Sequence, residues 1–180
     1  MRLLLILGAA MAAMTFAGCS GEEPLEVPAP FALTEEAIGR YCGMNVLEHP
    51  GPKGQIVLGR IPEPIWFSSA RDAVAFTMLP EESKNIVAIY VSDMAQAPDW
   101  DSPGAENWID ARTAFFVIGS SAKGGMGASE TVPFSTQAAA ESFAQAHGGD
   151  VVPFEAIPVD YVLGTHEPAG AAADHTGATE

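Results

Sequence analysis

Ile65-Trp66-Phe67-Ser68-Ser69 leads into Ala70–Met78, and Val132-Pro133-Phe134-Ser135-Thr136 leads into Gln137–His147. The two stretches follow one plan. Aligned on their Phe-Ser pairs they are offset by 67 residues, so that Ala73 matches Ala140 and Phe76 matches Phe143. Ser68 and Ser135 stand where a helix wants an N-cap, immediately before a helical run. Around each helix lie short runs rich in Val, Ile, Phe and Tyr, the residues that suit a pleated, half-buried surface. They are Gln55–Arg60 and Ile65–Phe67 before the first helix and Ile86–Ser92 after it, then Trp108–Ile118 and Thr131–Phe134 before the second and Val151–Glu155 after it. The order is strand, strand, helix, strand, twice. This predicts an α+β fold of two similar ββαβ units, about 41–93 and 107–156, with mainly antiparallel sheets and helices on one face. Chance similarity between two amphipathic helices is the competing explanation of the match.

Working outward, the chain of 180 residues opens with Met1-Arg2, an apolar run from Leu3 to Phe16, and Ala17-Gly18-Cys19. A short positive start, a hydrophobic stretch too short to span a membrane as a mature helix and a small-residue end read as a signal peptide over 1–18. Phe16-Ala17-Gly18-Cys19 resembles the lipobox of bacterial lipoproteins, with Phe in place of the usual Leu. The resemblance implies lipid attachment at Cys19. Residues 19–32, with Pro24, Pro28 and Pro30 among Glu22, Glu23 and Glu26, read as an extended, solvated tether. Leu33–Arg40 reads as a short helix or an irregular lead-in to a domain over 33–163. Residues 164–180, rich in Ala, Gly and Thr, read as a disordered tail carrying His166 and His175.

The formal net charge is −15. A surface that acidic excludes nucleic acid as a partner, since binding it needs a basic face. The sequence has two cysteines, Cys19 and Cys42. Lipid on Cys19 would leave Cys42 unpaired in an oxidising compartment, which points to a reactive or metal-binding thiol. A Cys19–Cys42 disulfide is the competing arrangement.

Cys42-Gly43-Met44, followed by His49-Pro50-Gly51-Pro52, brings thiolate, thioether and imidazole within eight residues. If the segment is extended, Cys42 and Met44 share a face. Thiolate and thioether together select soft Cu(I). A Cys and a Met filling core space is the bland alternative. Met126, inside Lys123-Gly124-Gly125-Met126-Gly127, has glycines around it that let the backbone run close to another surface. It is a candidate third sulfur ligand or a surface residue, and His49 is the local alternative. No Ser-His-Asp order, phosphate-binding glycine loop or H-x-x-x-H zinc pattern is present.

Together, Phe16-Ala17-Gly18-Cys19, Cys42-Gly43-Met44, His49-Pro50-Gly51-Pro52-Lys53-Gly54-Gln55-Ile56, Met126-Gly127 and Val132-Pro133-Phe134 resemble the NosL family of copper-binding lipoproteins. The resemblance implies a Cu(I) metallochaperone, not an enzyme, anchored through Cys19 on the periplasmic face of a membrane. It implies delivery of copper for the cluster of nitrous oxide reductase. The implied partner is the periplasmic docking subunit of that enzyme's maturation transporter complex. It places Cu(I) on Cys42 and Met44, with His49 and Met126 as further ligands. The alternatives are a thiol enzyme using Cys42 and His49, in the manner of organomercurial lyase, and a lipoprotein binding module without metal.

Overall fold

Residues 27–164 are described by a computed structural model. In chain order the elements are β1 (Gly54–Leu58), β2 (Ile65–Phe67), α1 (Ala70–Met78), β3 (Ile86–Ser92), β4 (Trp108–Asp110), β5 (Phe115–Ile118), β6 (Val132–Phe134), α2 (Gln137–His147), β7 (Asp150–Pro153) and α3 (Val159–Leu163). Short 3-10 turns cover Val46–Glu48 and Phe154–Ala156. The strands form two antiparallel sheets, β2-β1-β3-β4 and β6-β5-β7. The fold is α+β, and each ββαβ unit has its helix packed on its own sheet. The signal segment, Cys19, the tether up to Glu26 and the tail from residue 165 lie outside the described residues.

The run Trp108–Ile118 was expected as one strand and is two. Asp110 accepts the Arg112 N–H through its carboxylate (2.8 Å), while its carbonyl accepts from Thr113 N (3.1 Å). An Asp that bonds its own backbone two residues on makes a turn. The chain folds there, leaving β4 on the first sheet and β5 in the second.

Alternation along β5 joins the halves. Phe116 points into the core of Ile56, Phe67, Phe76, Ile89 and Val91, whereas Val117 points into that of Val132, Phe134 and Ala140. Successive residues of a strand face opposite ways, so one strand closes both cores. α1 sits unusually close to β1, because a Cβ on Gly54 would lie 2.5 Å from that of Ala73. The outer face of the first sheet is covered by the lead-in. Gln55 exchanges two hydrogen bonds with the Phe31 backbone (2.8 and 2.9 Å), and Tyr90 donates to the Pro28 carbonyl (2.7 Å). Leu33, Ala37 and Val46 pack there against Trp66 and Trp108. The lead-in from Leu33 is irregular, with a single turn closed by Ala37 N–H on the Thr34 carbonyl.

The caps fall one residue later than expected, at Ser69 and Thr136. That shift frees Ser68 for another contact. The short helix α3 had no signal in the sequence. It packs on α1, where the Arg71 guanidinium donates to the Val162 carbonyl.

Candidate metal centre

The Cys42 segment is a closed turn, so the condition of an extended segment, on which Cys42 and Met44 would share a strand face, is not met. Gly43 adopts φ +67°, a left-handed conformation that glycine takes without steric cost. Its N–H donates to the Gly39 carbonyl (2.9 Å), and the Gly39 N–H donates to the Met44 carbonyl (2.9 Å). An Ile38–Asn45 bridge closes the base of the turn, and Gly39 runs beside Trp66 on edge strand β2. Tyr41 packs on Phe67 with ring centroids 5.6 Å apart, and its hydroxyl donates to Glu82 (3.2 Å). Burial and the Glu82 carboxylate raise the Tyr41 pKa. Arg40 pairs with the same carboxylate at 3.2 Å.

The half-buried Cys42 thiol rests over Gly39, where a Cβ would come within 2.6 Å of Sγ. Its polar neighbours are Ser68 Oγ at 3.5 Å and the Met44 carbonyl at 3.9 Å. Cys42 is the free cysteine among the described residues, and it makes no hydrogen bond to His49 there. Met44 projects from the same turn, 39% exposed.

Met126 arrives from the second unit. A Lys123–Ser129 bridge closes a small loop, inside which the Gly124 N–H donates to the Ala128 carbonyl (2.9 Å) and the Gly127 N–H to the Gly124 carbonyl (2.8 Å). Met126 stands at the tip, 57% exposed. The glycines before it are required by close approach. A Cβ on Gly124 would lie 2.5 Å from Glu130 Oε2, and one on Gly125 would lie 2.5 Å from His49 Cβ. The loop therefore lies directly on His49.

His49 follows the Val46–Glu48 turn outside any helix or strand, and it is buried, 8% exposed. Its Nε2 has no hydrogen-bond partner among the described residues. Buried polar atoms are normally paired, so such an orphan is a candidate for a ligand. Lys53 fixes the backbone beneath it. The Lys53 side chain is 2% exposed and donates to the carbonyls of His49 and Pro50. Burial lowers its pKa to about 8, an effect partly offset by the Glu130 carboxylate.

A relay of intervening residues runs between the four candidate residues. Cys42 and Met44 share one turn; Cys42 touches Ser68; Ser69, the next residue, lies beside Gly124 (3.6 Å from a Cβ there); Gly125 covers His49 and precedes Met126. Ser68, Ser69, Lys53 and Glu130 were not anticipated as parts of it. Among the described residues no group of three or more His, Cys, Asp and Glu is placed to hold a metal ion. The soft donors within reach of this region are the Cys42 thiol and the thioethers of Met44 and Met126, a donor type that suits soft metal ions better than hard ones.

The family model described as NosL matches residues 30–162. The copper-binding lipoprotein NosL of Achromobacter cycloclastes is 47% identical over 153 residues, spanning 84% of this chain and 79% of that protein. The protein of the same description from Stutzerimonas stutzeri is 34% identical over 150 residues, 83% of this chain and 77% of that one. The crystal structure of the copper chaperone NosL from Shewanella denitrificans has the same fold, with a TM-score of 0.67 at 35% identity. It covers 71% of this chain and 94% of that chain.

Proposed function

The chain belongs to the NosL family, and from that premise we propose that it is a copper-binding metallochaperone lipoprotein that carries Cu(I) on the periplasmic face of a membrane. Its cargo serves assembly of the nitrous oxide reductase copper cluster. The observation that carries this reading is that two sulfur-bearing segments from different halves of the fold both approach the Ser68-Ser69 pair. The Cys42 thiol lies 3.5 Å from Ser68 Oγ, and Gly124, at the foot of the Met126 loop, lies beside Ser69.

In this reading Cys42 supplies the one anionic soft ligand, Met44 and Met126 supply neutral thioethers, and His49, whose Cβ packs under Gly125 and whose Nε2 has no partner among the described residues, is a further donor. Copper must leave a carrier as well as enter it. Ligands on exposed turns suit stepwise exchange with an acceptor, because an incoming donor reaches the metal before the outgoing one lets go. A closed cage of four protein ligands would hold metal as structure instead. The acceptor is the periplasmic docking subunit of the reductase's maturation transporter, and lipid on Cys19 keeps the carrier at the membrane where that complex sits. A thiol-enzyme mechanism needs a base on the thiol, and the thiol's neighbours here are a serine hydroxyl and a backbone carbonyl.

Anaerobic Cu(I) titration against a competing chelator tests the proposal. Wild type retains one tightly held Cu(I), and Cys42→Ser loses it. Equal retention by the two proteins sinks the carrier reading.

A further inference from the structure

The two helices of the repeat start differently. α2 caps itself, with the Thr136 side chain accepting from the Ala139 N–H (3.3 Å). α1 has Ser69 in the equivalent place, a residue fully able to cap, yet it makes no such bond. Its hydroxyl donates instead to Glu130 Oε2 (2.8 Å), and the Arg71 N–H, an orphan donor of the first turn, goes to Glu130 Oε1 (2.8 Å). The Thr131 N–H adds a third bond to that carboxyl (2.8 Å). A serine cap costs little, whereas a carboxyl group buried to 1% exposure gives up its hydration. Helix α1 alone does not require that expense.

What the carboxyl adds is a connection. It belongs to the second unit and follows directly on the bridge that closes the Met126 loop. Gly124, at the base of that loop, rides against its Oε2. Ser69, which it binds, is joined to Ser68, whose hydroxyl lies 3.5 Å from the Cys42 thiol. One buried side chain is thus in contact with the foot of the thioether loop and with the helix start that flanks the thiol.

We propose that Glu130 is a positioning residue for the metal site, clamping the Met126 loop to the start of α1 so that the loop keeps a fixed place relative to the Cys42 turn. The inference rests on the copper reading above. Glu130 itself touches no metal. Its accepted bonds from Arg71 and Thr131 need only an acceptor oxygen, so glutamine at 130 preserves the clamp, while alanine removes it.

The test is anaerobic Cu(I) competition on the full chain. Glu130→Ala weakens Cu(I) binding by ~10–100-fold, the usual effect of losing a residue that orients a ligand. Glu130→Gln stays within about threefold of wild type. Combining Glu130→Ala with Met126→Leu costs no more than about twofold beyond Met126→Leu alone, since both remove the same thioether from the site. A merely structural loss would multiply with Met126→Leu instead, and that result overturns the clamp. So does a Glu130→Ala protein that binds like wild type. If Glu130→Ala does not fold, Gly124→Ala decides. Its added methyl would lie 2.5 Å from Oε2 and 3.6 Å from Ser69 Oγ, forcing the loop and the carboxyl group apart. The same loss, non-additive with Met126→Leu, supports the clamp, and wild-type affinity refutes it. Wild-type protein that takes up no Cu(I) overturns the copper reading together with the clamp. Binding by wild type with equal binding by the variants overturns the clamp alone.

Discussion

Replacing Glu130 with glutamine should remove a specific pH dependence from the stability of the metal-free protein. Burial raises the Glu130 pKa from 4.5 to about 7, against the lowering effect of the bonds from Arg71, Ser69 and Thr131. The folded chain therefore holds this proton more firmly than the unfolded chain does. Between those two values the folded state binds more protons, so its stability falls as pH rises through that window and levels off above it. At 1.36 kcal/mol per pH unit, a rise from pH ~5 to ~7.5 costs wild type roughly 2 kcal/mol through this one group. Lys53 works in a different window: with its pKa lowered from 10.5 to about 8, it raises stability as pH climbs between those values. The raised pKa of Asp72, also caused by burial, slopes the same way as Glu130 but is present in both proteins. Urea unfolding followed by tryptophan fluorescence at the two pH values measures the difference. The wild-type curve should lose about 2 kcal/mol more than the Glu130→Gln curve over that interval. Parallel behaviour of the two proteins would show that the carboxyl group ionises as it does in water, and would refute the burial argument.

Met126→Leu keeps the size of the side chain and removes its sulfur. It should lower Cu(I) affinity with the fold unchanged, as read by chelator competition and circular dichroism. Wild-type affinity for Met126→Leu beside a weakened His49→Ala would make the imidazole the third ligand in place of Met126. Cys19→Ser should move the protein from membrane to soluble fractions with Cu(I) binding intact, and wild type found already soluble would remove lipid from Cys19.

Much of the fold could be read from the chain because its signals are local. Phe67-Ser68-Ser69 and Phe134-Ser135-Thr136 mark strand ends and helix starts within a few residues, and both long helices fall where their patterns place them. The reading of Trp108–Ile118 failed where a side chain overrode propensity, since Asp110 takes its own backbone into a turn. At the site, the glycines flanking Met126 announced a close approach but not its partner, which proved to be His49. The C-x-M spacing alone does not decide between an extended and a turned Cys42-Met44 segment; the left-handed φ of Gly43 makes it a turn. Glu130 was invisible because its partners Ser69 and Arg71 lie 61 and 59 residues away. Nothing near it in sequence distinguishes it from an ordinary acidic residue at the start of a strand.

In the proposed carrier, one copper ion is held by sulfur from both halves of the fold. X-ray absorption at the copper edge of the anaerobically loaded protein, wild type beside Met126→Leu, tests it most directly. Wild type should show a Cu(I) edge with sulfur dominating the first coordination shell, and the variant one sulfur fewer. A shell of nitrogen and oxygen, or a sulfur count unchanged by the substitution, would contradict it.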